Sequence, residues 1–395
     1  MDRPVKSGDI FAPNYYGQNV VNLMASIRRA FGAGSEHAPL GILSPDELAS
    51  PRNVVLLLLD GLGANYLERF PGSFLARHVR GRITTVFPST TATAVTTFLS
   101  GLAPRQHGLV GWFTYLKELG SVAAVLPFRP RHGGPTYAAM GVDPRLIFHW
   151  RPLFDQLDAR CFIVTRRDIV DSDYSIATGG GAERRAYDDL QGCLRRVEEI
   201  VRRPGGQRQY VYAYWPALDA ISHQFGVASD AAAEHFTLLD EQISRFVETN
   251  VGTDTLMIVC ADHGLVDTSA ERTVWVEQHP ALADMLSLPL CGEPRAAFCH
   301  VHTAARQAFE DYVRGQLGDV CLLVDSATVV NEWQWFGFGT SHPQLQHRVG
   351  DYTLVMRDGY SIKDRLPMEQ PFKQIGVHGG LSAEEMQVPL VVLGM

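Results

Sequence analysis

Two patterns of apolar residues alternate along the chain. Short runs in which nearly every residue is apolar are separated by stretches in which apolar residues recur every three or four positions. The clearest run is Asn53-Val54-Val55-Leu56-Leu57-Leu58-Leu59. No polar residue interrupts it after Asn53, which predicts a strand covered on both faces, as in a parallel sheet. Further strands are predicted at Arg82 to Phe87, Cys161 to Thr165, Tyr210 to Trp215, Thr255 to Cys260 and Val388 to Leu393. Helical spacing appears at Val20, Leu23, Ile27 and Phe31, after which a stretch containing Pro, Gly and Ser, Gly32 to Pro51, leads to the first strand. It recurs at Tyr187, Leu190, Leu194, Val197 and Val201, and at Phe236, Leu239, Ile243 and Phe246. Strands alternating with amphipathic helices predict an α/β fold, with a mostly parallel central sheet and helices on both faces.

The segment 271–370 breaks this rhythm. It is rich in Trp, Pro and His, with one predicted strand (Ala296 to Val301) and one predicted helix (Ala304 to Gln316). The expectation is an inserted α+β lobe, a candidate substrate-specificity cap, on a core formed by residues 1–270 and 371–395.

Composition narrows the function. Apolar residues make up 46% and charged residues 20% of the 395, which excludes a largely disordered chain. The net charge of −8 argues against a nucleic-acid-binding surface. The run Val54 to Leu59 is too short to span a bilayer, so no membrane association is expected. The first residues lack a basic-then-apolar leader pattern, and a cytoplasmic location is the expectation. Cys161, Cys193, Cys260, Cys291, Cys299 and Cys321 form no CxxC pair, and several sit in apolar runs, so they read as reduced core thiols.

Ligands in open α/β sheets bind beyond the carboxyl ends of the strands. Three aspartates occupy that place: Asp60 in LLLLDGLG, Asp219 in WPALDAISHQFG and Asp262 in TLMIVCADHG. Each alone would read as a cap or turn residue. Their companions change that reading. Asp219 and His223 share one face of a helical turn. Asp262 and His263 are followed by Gly264, and His378 lies in GVHGGLS, where glycines permit close backbone approach. Three Asp and three His without Cys suit Zn²⁺, with Mn²⁺ or Fe as alternatives. Six ligands exceed one tetrahedral ion and match two, which about 4 Å apart would stabilise the attacking and leaving oxygens of a displacement at phosphorus.

The stretch VFPSTTATAVTTFLSG holds five threonines in positions 90 to 97. Pro88 and Ser89 signal the start of a helix running to Ser100, with Gly101 ending it. A helix N-terminus favours an anion such as phosphate. Thr90 and Thr91 are at that end. Thr93, Thr96 and Thr97 lie deeper and read as packing residues against the sheet.

Together, DGLG, the threonine segment closed by SGLAPRQHG, DAISHQFG, ADHG and HGGLSAEEMQVPL resemble, in this order, the metal-binding blocks of the alkaline phosphatase superfamily. The similarity is to its type I phosphodiesterase/nucleotide pyrophosphatase branch. That resemblance implies a two-zinc hydrolase that cleaves phosphodiester or pyrophosphate bonds of a small phosphate ester through a covalent phospho-threonine. It implies a catalytic Thr on one zinc ion with Asp60, Asp262 and His263, and a second zinc held by Asp219, His223 and His378. In the family the nucleophile lies ten residues before the glycine that closes its helix, which designates Thr91, with Thr90 as the alternative. One position departs: Trp112 stands where the nucleotide pyrophosphatases place an amide-donating Asn. No C/S-x-P-x-R sulfatase signature occurs in the nucleophile stretch. A phosphomonoesterase, phosphonate hydrolase or phosphomutase on the same core is the alternative among enzymes, and a metal-stabilised binding protein without turnover the alternative outside them.

Smaller signals read more plainly. His300 and His302 alternate on a predicted strand and lack an evident third ligand. His107 in RQHGLVG reads as structural. Trp333, Trp335, Phe336 and Phe338 fit either stacking on a substrate or packing of the insertion. Arg129, Arg131 and His132 read as a solvated loop, with phosphate contact as the alternative.

Overall fold

The computed structural model describes residues 10–367, 369 and 373–395. Its central sheet has seven strands: β1 (Asn53–Leu59), β2 (Val79–Thr84), β3 (Arg160–Arg166), β4 (Glu183–Tyr187), β5 (Gln209–Trp215), β6 (Thr255–Cys260) and β7 (Gln387–Gly394). Their order across the sheet is β2-β7-β6-β1-β5-β3-β4. The all-apolar β1 lies in the middle, parallel to β5 and β6, and all seven of its residues are buried, so both faces are covered. β3 and β4 extend the sheet in parallel.

β7 is the exception, antiparallel to both β6 and β2. That direction matters for the site. A reversed strand joins the sheet at the edge where the parallel strands leave it, so the loop before β7 is delivered to their carboxyl ends. β2, reversed once more relative to β7, runs with β6 and delivers the segment after Thr84 to the same edge.

The helices that bear on the site are α1 (Val20–Ala30), α2 (Thr91–Ser100), α3 (Leu190–Val201), α4 (Ala217–Phe225) and α5 (Asp230–Thr249). α1 packs on α2, and α5 packs on both α3 and α4. The apolar stripes read from the sequence are their buried faces. Tyr187 belongs to the strand β4 rather than to a helix: Asp189 accepts from the Gly192 N–H and starts α3 at Leu190. The segment Gly32 to Pro51 carries a short helix, Pro45–Ala49, capped by Ser44. All six cysteines are free and buried.

A second seven-stranded sheet is antiparallel throughout. In order its strands are Cys321–Asp325, Tyr352–Met356, Ala296–Cys299, Cys291–Glu293, Phe113–Leu116, Ser121–Ala124 and Arg129–Pro130. The segment 271–370 supplies the first four of these and residues 113–130 the other three, so the sheet crosses the expected boundary of the insertion. The strand expected at Ala296 to Val301 ends at Cys299, and the helix expected at Ala304 to Gln316 is an α-helix over Arg306–Tyr312 continued by a wider turn over Val313–Leu317. Among the described residues no helix is long and apolar enough to cross a membrane.

Candidate active site

Each acid and histidine is placed by a strand end. Asp60 follows β1, and its N–H still donates to the Trp215 carbonyl at 2.9 Å, which ties it to the sheet. Asp262 lies two residues beyond β6. α4 begins directly after β5 and presents Asp219 in its first turn and His223 one turn later. His378 rides on the loop before β7. Gly264 follows His263 because nothing larger fits: a Cβ there would stand 2.0 Å from the Glu384 carbonyl oxygen.

The three histidines are oriented in one way. Nδ1 of His223 bonds the Gly376 carbonyl at 2.7 Å, Nδ1 of His263 the Gly264 carbonyl at 3.1 Å, and Nδ1 of His378 the Ser89 carbonyl at 3.1 Å. A ring nitrogen facing a carbonyl carries the proton, which leaves each Nε2 as a free acceptor or ligand. His263 Nε2 lies 3.4 Å from Asp60 Oδ1 and 3.5 Å from Asp262 Oδ2. His223 Nε2 lies 3.2 Å from Asp219 Oδ2, and His378 Nε2 lies 3.9 Å from Asp219 Oδ1.

Two triplets result, Asp60–Asp262–His263 and Asp219–His263–His378, the ligand atoms within each lying inside 4.8 Å of one another. His263 belongs to both, and its ring stacks on that of His378 at 3.8 Å. Burial, then the charges of Asp262 and Asp219, push Asp60 well above the ordinary carboxylate range; burial also raises Asp262. Against burial, the hydrogen bond and charge of His223 hold Asp219 at about 2. Burial, then the charge of His263, pushes His378 far below an ordinary imidazole. Asp219 and His223 thus pair as charged groups, while Asp60, Asp262 and His378, shifted toward their neutral forms, mark a buried cluster short of positive charge.

The threonines divide as their depth predicts. α2 starts at Thr91, two residues later than Ser89, because Thr90 is extended (φ −143°, ψ 150°) and caps the helix; Gly101 closes it in the left-handed conformation. The Thr91 hydroxyl is 3.1 Å from His263 Nε2 and so joins the cluster. The Thr90 hydroxyl turns away and donates to Glu293 Oε1 at 2.7 Å. Thr96 bonds the Ala92 carbonyl and the Tyr174 hydroxyl, and the Thr97 hydroxyl oxygen accepts from His107 Nε2, so these deeper residues and His107 are packing elements.

The sequence model of the type I phosphodiesterase / nucleotide pyrophosphatase family matches residues 54–381. The chain belongs to that family. It is 25% identical over 246 residues to an uncharacterized pyrophosphatase/phosphodiesterase of Schizosaccharomyces pombe; the match spans 57% of the chain and about half (47%) of that relative. Among solved structures, mouse ectonucleotide pyrophosphatase / phosphodiesterase 5 superposes with a TM-score of 0.62 at 17% identity, covering 87% of this chain and 88% of that one. An inactive threonine-to-alanine form of it in complex with AMP gives 0.63 at 17% identity, covering 86% and 87%. Phosphonoacetate hydrolase from Sinorhizobium meliloti, in complex with phosphonoformate, gives 0.59 at 16% identity, covering 87% and 90%. At these identities the structural likeness is one of fold.

In this family member a cleft of about 530 Å³ opens over the cluster, lined by Thr91, Asp219, His223 and His378 on one side and by Trp112, Phe113, Trp275 and Glu293 on the other. Glu293 escaped the sequence reading, since an acid between Gly292 and Pro294 looks like a turn. It is buried, accepts from the Trp112 N–H at 2.6 Å as well as from Thr90, and burial raises it to about 7. Trp112, 37% exposed, offers the cleft an aromatic face where an amide was the family expectation.

Of three smaller readings, one is overturned. Trp335 and Phe336 are buried and pack on Phe87, and Phe338 packs on Tyr15 and Tyr16, so that aromatic run is packing and lies outside the cleft lining. Arg131 is no solvated loop residue: it pairs with Asp364 at 2.7 Å and Glu369 at 2.9 Å, its guanidinium over the Phe113 ring, on the cleft wall. His300 lies edge-on against Tyr115, burial pushes it down to about 4, and neither it nor His302 joins a metal-type cluster among the described residues.

Proposed function

We propose that the chain is a metal-dependent phosphoryl hydrolase that cleaves phosphodiester or pyrophosphate bonds in small phosphate esters, with Thr91 as nucleophile. Two divalent ions, zinc first among the candidates, would be held by Asp60, Asp262, His263 and Thr91 and by Asp219, His223 and His378. The donor set fits such ions: Asp60 Oδ1, Asp219 Oδ1 and Asp262 Oδ2 are buried carboxylate oxygens without a hydrogen-bond partner among the described residues, and each belongs to one of the two clusters. An orphaned buried acceptor is unfavourable, and three in one place call for cations. Bound there, the ions supply positive charge that eases deprotonation of a hydroxyl or water and offsets charge on phosphoryl oxygens.

The protein's own groups do the rest. Oγ1 of Thr91 attacks phosphorus; the bond to the leaving oxygen breaks, and that oxygen leaves as an alcohol or phosphate. Water then attacks phosphorus of phospho-Thr91; the bond from phosphorus to Oγ1 breaks, the phosphoryl group leaves carrying the water oxygen, and Oγ1 regains a proton. Sitting at the first position of α2, Thr91 places the phosphoryl group against the open N–H groups of the first helical turn. The backbone bonds to Nδ1 keep the three imidazoles facing the reacting atoms. Tyr214 donates to Asp60 Oδ2, which fixes that carboxylate with Oδ1 turned into the cluster.

The observation that carries this reading is the meeting of the Thr91 hydroxyl, at a helix start, with three orphaned carboxylate oxygens. The inactive threonine-to-alanine mouse relative in complex with AMP supports it. The test is turnover of a bis-aryl phosphate by zinc-loaded protein, abolished by a chelator and restored by zinc. Chelator-insensitive turnover, or none on diester, pyrophosphate, monoester and phosphonate substrates, would overturn it.

A further inference from the structure

We infer that Glu293 sets the charge selectivity of the cleft, favouring singly charged phosphate diesters over doubly charged monoester groups and inorganic phosphate. The inference rests on the reading of Thr91 as the attacking group, because that fixes where phosphorus sits.

Glu293 ends the strand Cys291–Glu293 and stands against the start of α2. Both of its protein donors, the Thr90 hydroxyl at 2.7 Å and the Trp112 N–H at 2.6 Å, go to the same oxygen, Oε1. Among the described residues no donor reaches Oε2, and the residue lines the cleft with Thr91, His223 and His378. Of the three Lys and Arg side chains that line the cleft, Arg131 is engaged with Asp364 and Glu369 and Lys363 with Gln374 Oε1 at 3.1 Å, while Arg365 is exposed to solvent, which screens its charge. The approach to Glu293 is built in, since a Cβ on Gly379, next to His378, would lie 2.4 Å from the Glu293 Cβ.

A carboxylate in this position repels a phosphoryl group in proportion to the charge that group carries, and the buried wall screens the repulsion weakly. A diester carries one negative charge where a monoester at pH 8 carries two. The second ester group of a diester meets Trp112 and Phe113, which have apolar surface to offer. The Trp112 backbone N–H is spent on Glu293, and the Trp112 side chain brings no amide donor to the phosphate.

Glu293→Gln separates charge from bracing. The amide oxygen still accepts from Thr90 and Trp112, while the other oxygen becomes an uncharged N–H donor. At pH 8, the ratio of kcat/KM for an aryl phosphate to that for a bis-aryl phosphate is expected to rise about tenfold or more, and inorganic phosphate to bind more tightly by a similar factor. A role limited to bracing would leave both unchanged, and a ratio and a phosphate affinity within about twofold of wild type overturn the inference. Wild-type protein gives a second check independent of any variant. Singly charged methyl methylphosphonate is expected to inhibit more strongly than doubly charged methylphosphonate, and the reverse order overturns the inference. Phosphate affinity is read by calorimetry without turnover. Failure of the hydrolase reading, seen as no turnover by wild type, is therefore distinguishable from failure of the Glu293 inference.

Discussion

The hydroxyl oxygen of Thr91 stands 3.1 Å from Nε2 of His263, the one imidazole common to both clusters. Thr91→Ala removes that oxygen and is expected to lower kcat by at least about a thousandfold. Thr91→Ser should retain part of the rate. Thr90→Ala should cost far less, because the Thr90 hydroxyl is turned toward Glu293. Steady-state rates on a bis-aryl phosphate decide this. A dead Thr90→Ala beside a fully active Thr91→Ala would shift the nucleophile by one residue.

Metal content follows from the orphaned oxygens. Elemental analysis of metal-replete protein is expected to give about two equivalents of a divalent transition metal per chain. Asp219→Ala should lower that number toward one, because Asp219 belongs to only one of the triplets. A stoichiometry near zero in active protein contradicts the assignment.

Cations that bind only the folded cluster must stabilise it. At free zinc about a hundredfold above its dissociation constant, the gain is about 2.7 kcal/mol. Chelation should therefore lower Tm and added zinc restore it, by calorimetry or fluorescence. The zinc effect should be largely absent in an Asp60→Asn, Asp219→Asn double variant.

Away from the metal-type cluster, Arg295 and Glu385 form a buried two-armed pair at 2.9 and 3.1 Å. Burial alone would raise Glu385, but Arg295 and the Gly380 N–H hold it below the ordinary carboxylate value. A depressed folded-state pKa adds stability that is present above the unfolded-state value and lost as pH falls through the folded one. Urea midpoints should therefore fall on acidification below about pH 4, the ordinary carboxylate range. That fall should be shallower in Glu385→Gln. At pH 7, Glu385→Gln should be less stable than wild type by about 3–5 kcal/mol, since it strands the guanidinium.

What could be read in advance follows physical lines. The six central strands anticipated from sequence are found within three residues of their expected ends because their runs are apolar and local. β4 escaped because Glu183-Arg184-Arg185-Ala186-Tyr187 is a half-exposed edge strand with charges on it, and its last residue happens to fall in helical register with α3. The second sheet escaped for a different reason. Phe113 pairs with Gly292, 179 positions away, in strands of two to five residues, and no local period records such a pairing. The acids and histidines were legible because each sits at a strand end beside a glycine or one helical turn from a partner. Glu293 also ends a strand beside a glycine, but that three-residue strand leaves no apolar run to reveal it, and its partners, the Thr90 hydroxyl and the Trp112 N–H, are both supplied by the fold.

The two sides of the cleft have separate origins, with the reactive groups on the edge of the parallel sheet and Trp112, Phe113 and Glu293 on or beside strands of the antiparallel one. Such a division lets inheritance act on them separately. A lineage can exchange wall residues, and with them the molecules it accepts, while the groups that break the bond are passed on intact. Descendants of one ancestral scaffold could then diverge in diet without ever reinventing the reaction.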